Sequence, residues 1–139
     1  MTEPIAVIGL DAKLPCDGDT VEEFFEFLVA GSLDKQIGGK EGHFMKANIQ
    51  AFDAPFFAMT PAEAASLDPQ QRMLLECVYT AMENAGYTMA DMHSAPFGVY
   101  VGNFMLDFRN LVIKDVDVPM TYTATGSVAS VGVLTTSVK

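Results

Sequence analysis

Two capped helix starts in succession constrain this chain most, because each one fixes where a helix begins. The segments Thr60–Glu63 (TPAE) and Asp68–Gln71 (DPQQ) both place a capping side chain before a proline at the first helical position, and both have Glu or Gln at the third. The second start opens the clearest helix in the sequence, which Gly86 ends. Apolar residues recur at helical spacing along this helix and predict one continuous apolar face: Leu74, Cys77, Val78, Ala81, Met82 and Ala85.

Three further segments have recognisable patterns. Thr20–Glu23 (TVEE) is another capping box, and it begins a helix with one apolar stripe that Gly31 stops. Ile5–Leu10 (IAVIGL) and Phe97–Val101 (FGVYV) are short runs rich in β-branched residues, and each is closed by glycine. Such runs are typical of strands that are buried on both faces.

The remaining segments are less regular. Ser32–Ala51 contains three glycines and no sustained period, so we predict a mobile loop with a short extended piece at His43–Lys46. Asn103–Lys114 has apolar residues at helical spacing and is predicted as a helix. The order of these elements indicates an α/β fold, a small sheet packed with helices, in a single domain spanning residues 1–139.

Composition excludes several classes of function. The net charge of −10 and the pI near 4.3 argue against binding to nucleic acid or to anionic membrane surfaces, which select basic patches. No long apolar run suggests a membrane span, and the N-terminus lacks the basic region of a signal peptide. Cys16 and Cys77 are too few for a disulfide framework, so a reduced, cytoplasmic location is expected.

Residues with catalytic or ligand-binding potential form no known motif. The spacing of histidines and cysteines fits no metal site, and no glycine-rich nucleotide motif is present, so no metal or cofactor is expected. His43 and His93 are candidates for a general base, although a solvated histidine is the alternative for both. Cys77 is interpreted as a small buried hydrophobe. Arg72 opposes the dipole of its helix, so we expect a carboxylate partner for it.

Four stretches together resemble one known family: EPIAVIGLDAKLP, FDAPFFAMTPAEAASLDPQQRMLLECVYTAMENAGY, FGVYVGNFMLDF and DVPMTYTATGS. They are similar to the N-terminal portion of a β-ketoacyl synthase, most closely the ketosynthase domain of fungal iterative type I polyketide synthases. The likeness covers Glu3–Leu28 and Phe52–Gly126. It implies a partial thiolase-like fold, because that family builds five layers, α-β-α-β-α, from two related halves, and this chain holds most of the N-terminal half.

The chain departs from that family at two places. The family has a longer segment ahead of FDAPFF, where this chain has only Ser32–Ala51. After TATG the family continues to a nucleophilic cysteine in a TACSSS context and then to two histidines. Here residues 1–126 are family-like, whereas Ser127–Lys139 is a divergent tail without cysteine. No catalytic residue of the family is therefore carried over, and we do not expect Claisen condensation by this chain alone.

The resemblance leaves three functions open. In the first, the chain is an accessory protein of polyketide biosynthesis that binds a lipophilic intermediate and promotes its cyclisation, isomerisation or release. In the second, it is a non-catalytic scaffold or regulator that docks on a full-length polyketide synthase. In the third, it is an inactive remnant or a fragment of a larger ketosynthase.

The same resemblance also leads us to expect a binding partner and a ligand pocket. The face that the family's second half covers is expected to be closed by a homodimer or by a complex with a synthase. The segment Val128–Val138 is rich in β-branched residues and is predicted to lie against that face as a strand or extended arm. Six residues are expected near the acyl-binding region, with core packing as the alternative for each: Phe104, Met105, Phe108, Tyr122, Thr123 and Thr125.

Overall fold

The computed structural model describes residues 3–15, 20–31, 35–37, 40–42, 44–45, 48–94, 96–103, 105 and 107–114. The chain divides into two compact units, one made of Met1–Leu10 with Ile49–Lys139 and the other of Asp11–Asn48. The described elements are α1 (Val21–Ala30), β1 (Lys35–Ile37), β2 (Lys40–Gly42), α2 (Pro61–Ser66), α3 (Pro69–Asn84), α4 (Met89–Ser94) and α5 (Asp107–Lys114). In this part of the chain, no helix is long and apolar enough to cross a membrane.

Helix α1 has both predicted ends. The Glu23 backbone N–H donates to Thr20 Oγ1 at 3.2 Å, and the Thr20 backbone N–H donates to Glu23 Oε2 at 3.0 Å, so the capping box is complete. Gly31 adopts the left-handed conformation with φ 63°, and its N–H donates to the Leu28 carbonyl. The predicted apolar stripe is not buried, because Val29 on that stripe is 73% exposed. The ends of α1 therefore depend on local hydrogen bonds rather than on packing.

The prediction of a loop over Ser32–Ala51 is wrong for part of that range. Strands β1 and β2 pair antiparallel, and the partners in register are Lys35 with Gly42, Gln36 with Glu41, and Ile37 with Lys40. Two glycines separate the strands in the sequence, and Gly-Gly is a dipeptide favoured in two-residue hairpin connections. Their position between the two strands indicates a hairpin and not merely irregular structure.

The extended piece predicted at His43–Lys46 is not confirmed. Phe44 and Met45 are described, and neither lies in a strand. His43 and Lys46 lie outside the described residues. The strand pairing occurs earlier in the chain, at β1 and β2.

The buried core comes from α2, from the segment that precedes it and from one residue of α3. Asp53 begins a tight turn in which its Oδ1 accepts from the Phe56 backbone N–H at 3.1 Å. The Met59 N–H then donates to the Ala54 carbonyl at 2.9 Å, which folds the segment back on itself. The buried apolar side chains form one cluster, against which Phe52 and Phe57 pack: Ala54, Met59, Ala64, Leu67 and Leu75.

Helices α2 and α3 begin where the sequence predicts. Thr60 Oγ1 accepts from the Glu63 N–H at 3.2 Å, and Asp68 Oδ1 accepts from the Gln70 N–H at 2.8 Å. At the other end of α3, Gly86 has φ 83° and the Tyr87 N–H donates to the Met82 carbonyl. Both capped starts and the glycine stop are therefore confirmed.

The predicted apolar face of α3 is half-buried rather than buried. Leu75 and Gln71 are the buried residues of this helix, whereas Cys77 and the other residues of the predicted face have intermediate exposure. The Nε atom of Arg72 is buried and has no hydrogen-bond partner among the described residues, so the expected carboxylate is not found at that atom. The most buried side of α3 therefore lies one position away from the predicted stripe.

The two predicted buried strands are not strands in the structure. Neither Ile5–Leu10 nor Phe97–Val101 has a strand assignment, and Ile5, Val7 and Tyr100 are 97%, 82% and 95% exposed. A β-branched run becomes a strand only where a second segment bonds to its backbone. The sheet described here is the β1–β2 pair alone, so the small sheet expected from Ile5–Leu10 and Phe97–Val101 is not confirmed.

The N-terminal arm, Glu3–Leu10, nevertheless has a fixed place on α3. A Cβ atom at Gly9 would clash with the carbonyl oxygen of Ala81 and would lie 3.0 Å from the Ala85 Cβ. One residue further on, Asn84 Nδ2 donates to the Leu10 carbonyl at 3.1 Å. The arm thus contacts the C-terminal turns of α3 through a position that only glycine fits.

We expect Gly9→Ala to lower the free energy of unfolding by about 1–3 kcal/mol, because the added methyl must push the arm away from a rigid helix backbone. Urea denaturation followed by circular dichroism measures this loss. The matched control is Gly102→Ala, since nothing lies within 4 Å of a Cβ at that position. Equal effects of the two substitutions would contradict the close contact of the arm with α3.

Candidate functional site

An apolar groove runs beside α3. Its volume is about 290 Å³, and it is open to solvent along one side. Three side chains of α3, one side chain of α4 and the segment that follows α4 form its walls: Leu74, Val78, Met82, Met92 and Phe97–Val101.

The α3 wall of the groove consists of side chains that the helical spacing brings to one face of α3. Leu74, Val78 and Met82 are four residues apart, so their side chains lie above one another on one face of the helix. The opposite wall is anchored at its start by Phe97, whose ring meets the Tyr87 ring edge-on with centroids 5.7 Å apart. The groove therefore lies between a helix face and an extended segment that is held at one end.

A short capped helix supplies Met92 to the groove. The Asp91 N–H donates to Thr88 Oγ1, while the Thr88 N–H and hydroxyl donate to Asp91 Oδ2 at 2.9 Å and 2.6 Å. The hydroxyl and then the backbone N–H of Thr88 hold the pKa of Asp91 below its ordinary value of 3.8. The pattern T-x-x-D ahead of α4 is the signal in the sequence that locates this cap, and the cap is not among those predicted above.

The groove is suited to binding rather than to acid–base chemistry. Among the described residues, its walls carry no carboxylate, histidine, lysine or arginine, and Tyr100 is the one ionisable residue. Met82 and Met92 are unbranched and polarisable, so the walls can adapt to the shape of a ligand. In the described part of the chain, no group of three or more His, Cys, Asp or Glu side chains could hold a metal ion.

Most residues predicted for a pocket cannot be placed in this groove. His43, Phe104, Tyr122, Thr123 and Thr125 lie outside the described residues, and so does the predicted arm Val128–Val138.

The other predicted site residues do not form the groove. His93 belongs to α4, where its backbone alone is described. Met105 is exposed and its N–H donates to Asn103 Oδ1 at 3.0 Å, and Phe108 is half-buried in α5. Neither Met105 nor Phe108 lines the groove. The α3 wall of the groove is part of the predicted apolar face of that helix, a pattern equally typical of core packing.

The family of the chain is established by comparison with known proteins. Residues 2–136 match the family described as "Beta-ketoacyl synthase, N-terminal domain". The chain therefore belongs to the β-ketoacyl synthase family, through its N-terminal domain. The match continues to residue 136, while the predicted boundary at residue 126 and the divergence of the tail stay predictions.

The relatives are fungal polyketide synthases. The chain is 36% identical to the highly reducing polyketide synthase PKS6 of Gibberella zeae, over 93% of this chain and 6% of that protein. It is 39% identical to the highly reducing polyketide synthase tstA of Talaromyces stipitatus, over 84% of this chain and 5% of that protein. It is 36% identical to the polyketide synthase-nonribosomal peptide synthetase ACE1 of Pyricularia oryzae, over 94% of this chain and 4% of that protein. The predicted resemblance to the ketosynthase of fungal iterative synthases is confirmed, and the chain spans a small part of each relative.

The comparisons also measure a difference in length. The PKS6 alignment has 152 positions and covers 93% of the 139 residues, so this chain lacks a residue at about 23 of them. The tstA alignment, with 140 positions over 84% of the chain, leaves a similar number. This count agrees with the prediction that a stretch of the family is absent. Its expected position, ahead of Phe52, stays a prediction.

We expect Thr88→Val to raise the pKa of Asp91 toward its ordinary value, because the largest stabiliser of the carboxylate, the Thr88 hydroxyl, is removed. Because the pKa is lowered in the folded chain, the cap stabilises α4 above the ordinary pKa and loses this effect as the pH falls through the lowered value. An NMR titration of the Asp91 carboxyl carbon measures the change, with Thr80→Val as the control that leaves it in place. An unchanged Asp91 titration in Thr88→Val contradicts the cap.

Proposed function

We propose that this chain is a non-condensing relative of ketosynthases that binds a lipophilic polyketide intermediate and promotes its cyclisation, isomerisation or release. The apolar groove beside α3 is the observation that carries the proposal. Reactions of this kind are accelerated when an enzyme holds one conformer of the substrate and excludes water, without a covalent nucleophile. An apolar groove holds one conformer against its walls and excludes water from the side of the ligand that it covers.

Condensation by these 139 residues alone is not part of the proposal. That reaction needs a thiolate to accept the acyl chain. Cys77 lies in the middle of α3 and is half-buried. Cys16 is the other cysteine, and neither lies in a TACSSS sequence. Cys77 is more exposed than the buried position predicted for it, and its sequence context is not that of the family's nucleophile.

The ligand class is suggested by the relatives. Several of them are named highly reducing polyketide synthases. Reduction of a polyketide removes oxygen functions and leaves a more apolar chain, which matches walls of Leu, Val, Met and Phe side chains. We therefore propose that the intermediate is an apolar, reduced chain. The composition fits a cytoplasmic location for this function, since two cysteines give no disulfide framework.

The test of this proposal is a product assay. We expect the purified chain to change the rate or the product ratio when the linear, thioester-free product of a neighbouring highly reducing synthase is incubated with it. Chromatography with mass detection measures both quantities against a no-protein control. Cys77→Ala should keep the effect, because no thiolate is required. A rate and a product ratio that both equal those of the no-protein control reject the proposal.

A second function is favoured by the exposed apolar side chains of the larger unit. Ile5, Val7 and Ile8 of the N-terminal arm and Leu111 and Ile113 of α5 are all exposed. Exposed apolar surface of this kind is typical of a protein that binds a partner. The alternative proposal is therefore a scaffold or regulator that docks on a polyketide synthase, or a homodimer that covers this surface. The chain charge of −10 argues against an acidic partner.

Co-purification and mass measurement separate these alternatives. If the chain is a docking partner, a tagged copy should retain a full-length synthase at moderate salt, and Val7→Asp should release it because a charge is buried at the contact. If the chain is a homodimer, light scattering should give twice 15.0 kDa without any synthase bound. A monomer that retains no synthase contradicts both.

The third hypothesis is that the chain is part of a larger ketosynthase. It predicts an open reading frame that continues past Lys139 into a TACSSS sequence.

A further inference from the structure

We propose that Thr20 is a phosphorylation site for a protein kinase with a basic substrate groove. Thr20 is the exposed N-cap residue of α1, in the smaller unit formed by Asp11–Asn48. The inference concerns a residue outside the groove beside α3, and it does not depend on the proposed function.

Three threonines cap helices in the same way, which allows them to be compared. Thr20, Thr60 and Thr88 are all exposed, and each hydroxyl oxygen accepts a hydrogen bond from the backbone N–H three residues later. In each case that third residue is acidic. The three sites therefore share the hydroxyl group and the cap, and they differ in their surroundings.

The sequence around Thr20 is the most acidic of the three. Within six residues on either side it has five carboxylates: Asp17, Asp19, Glu22, Glu23 and Glu26. By the same measure Thr60 has one carboxylate and Thr88 has two. The sequence from Leu14 to Asp34 contains no lysine, arginine or histidine. A kinase with Lys and Arg side chains in its groove is attracted to such a segment, because complementary charge speeds encounter and disfavours other partners.

The first turn of α1 can also open without uncovering a core. Phosphoryl transfer needs the hydroxyl in line with the phosphate, so the cap must open in the kinase groove. Helix α1 has no buried residue. Thr60, in contrast, follows Met59 and begins a helix that contains Ala64, and both of these belong to the buried core cluster. Local opening is most frequent where few buried apolar contacts are lost, which favours Thr20 over Thr60.

The hydroxyl of Thr20 is held less tightly than that of Thr88. Thr20 Oγ1 donates to Glu23 Oε2 at 3.1 Å, whereas Thr88 Oγ1 donates to Asp91 Oδ2 at 2.6 Å. Short hydroxyl-to-carboxylate bonds of the second kind are the strong ones. Opening the cap at Thr20 therefore breaks the weaker of the two bonds.

The reaction transfers one phosphoryl group from ATP bound to the kinase. Thr20 Oγ1 attacks the γ-phosphorus, the bond from that phosphorus to the bridging oxygen of ADP breaks, and the hydroxyl proton passes to the catalytic carboxylate of the kinase. The phosphate brings a charge of about −1.5 to −2 at pH 7. Oγ1 then has no proton to donate to Glu23, and the two anions repel each other. Phosphorylation therefore removes the Glu23 half of the capping box at the start of α1.

The test is phosphorylation of the full chain by casein kinase II and ATP, with mass spectrometry of phosphopeptides to locate the phosphate. We expect Thr20 to carry most of the phosphate, and Thr60 and Thr88 to carry little. Thr20→Val should abolish the main signal because the hydroxyl is lost. Thr20→Ser keeps both the hydroxyl and the cap, so it should retain the signal.

A pair of glutamines separates recognition by charge from the role of Glu23 in the cap. Glutamine can replace glutamate in a capping box, so Glu22→Gln combined with Glu23→Gln removes two charges and keeps the helix start. We expect kcat/KM for phosphorylation of Thr20 to fall about tenfold in this double variant. The matched control is Glu63→Gln, at the corresponding position after Thr60, which should leave this value unchanged. Circular dichroism checks that the helices are intact in both variants.

Gly31→Ala tests the opening step from the other end of α1. Gly31 has φ 63°, where an alanine is strained, so α1 should open more often although the acidic sequence around Thr20 is unchanged. We expect the rate of phosphorylation to rise about two- to fivefold, in proportion to the open population.

Four results overturn the assignment: no transfer of phosphate to the folded chain, phosphate mainly on Thr60 or Thr88, an undiminished signal in Thr20→Val, or an unchanged kcat/KM in the double glutamine variant. Phosphorylation that occurs only after the chain has been unfolded by heat also overturns it, because the cap then does not open in the native protein. An unchanged rate in Gly31→Ala contradicts the opening step on which access to Thr20 depends.

Discussion

The cap at Asp68 is the interaction on which the described structure of the larger unit depends. Its side chain accepts from the Gln70 N–H at 2.8 Å, and its carbonyl accepts from the Gln71 and Arg72 N–H groups. These bonds start α3 directly after Leu67. Leu67 is the most buried residue of the core, with 4% of its surface exposed. Three features of the larger unit use this helix: Leu75 joins the core, the C-terminal turns hold the N-terminal arm, and a third face lines the groove.

Features that depend on a few neighbouring residues were predictable from the sequence. The caps at Thr20, Thr60 and Asp68 join atoms no more than three residues apart, and the left-handed conformations of Gly31 and Gly86 need only the absence of a Cβ. These caps and glycine conformations are therefore determined by the local sequence and do not require contacts with the rest of the chain. This is why the bounds of α1 and α3 agree with the prediction while the environment of their faces does not.

Features that depend on distant partners were not predictable. Ile5–Leu10 has the composition of a strand, yet its described contacts are with a helix end, because Gly9 admits the carbonyl of Ala81 and Asn84 bonds to Leu10. The groove has the same origin: its α3 wall was visible in the sequence as an apolar stripe, but an apolar stripe is equally consistent with core. Only the position of Phe97–Val101 opposite that stripe distinguishes a groove from a packed interior.

The proposed site and the family resemblance can hold together only if binding and condensation are carried by different parts of the ketosynthase framework. The caps, the core cluster and α3 belong to the segment that matches the family, and they fix one wall of the groove independently of any nucleophile. Chain alignments show that this protein lacks residues at about 23 positions of the relative PKS6, yet the caps of α2 and α3 are intact. A helix stabilised by its own caps and by a small local core tolerates such a loss, because its hydrogen bonds and its contacts with Leu67 and Met59 come from adjacent sequence. An apolar helix face preserved in this way is compatible with the binding of a lipophilic intermediate that we propose.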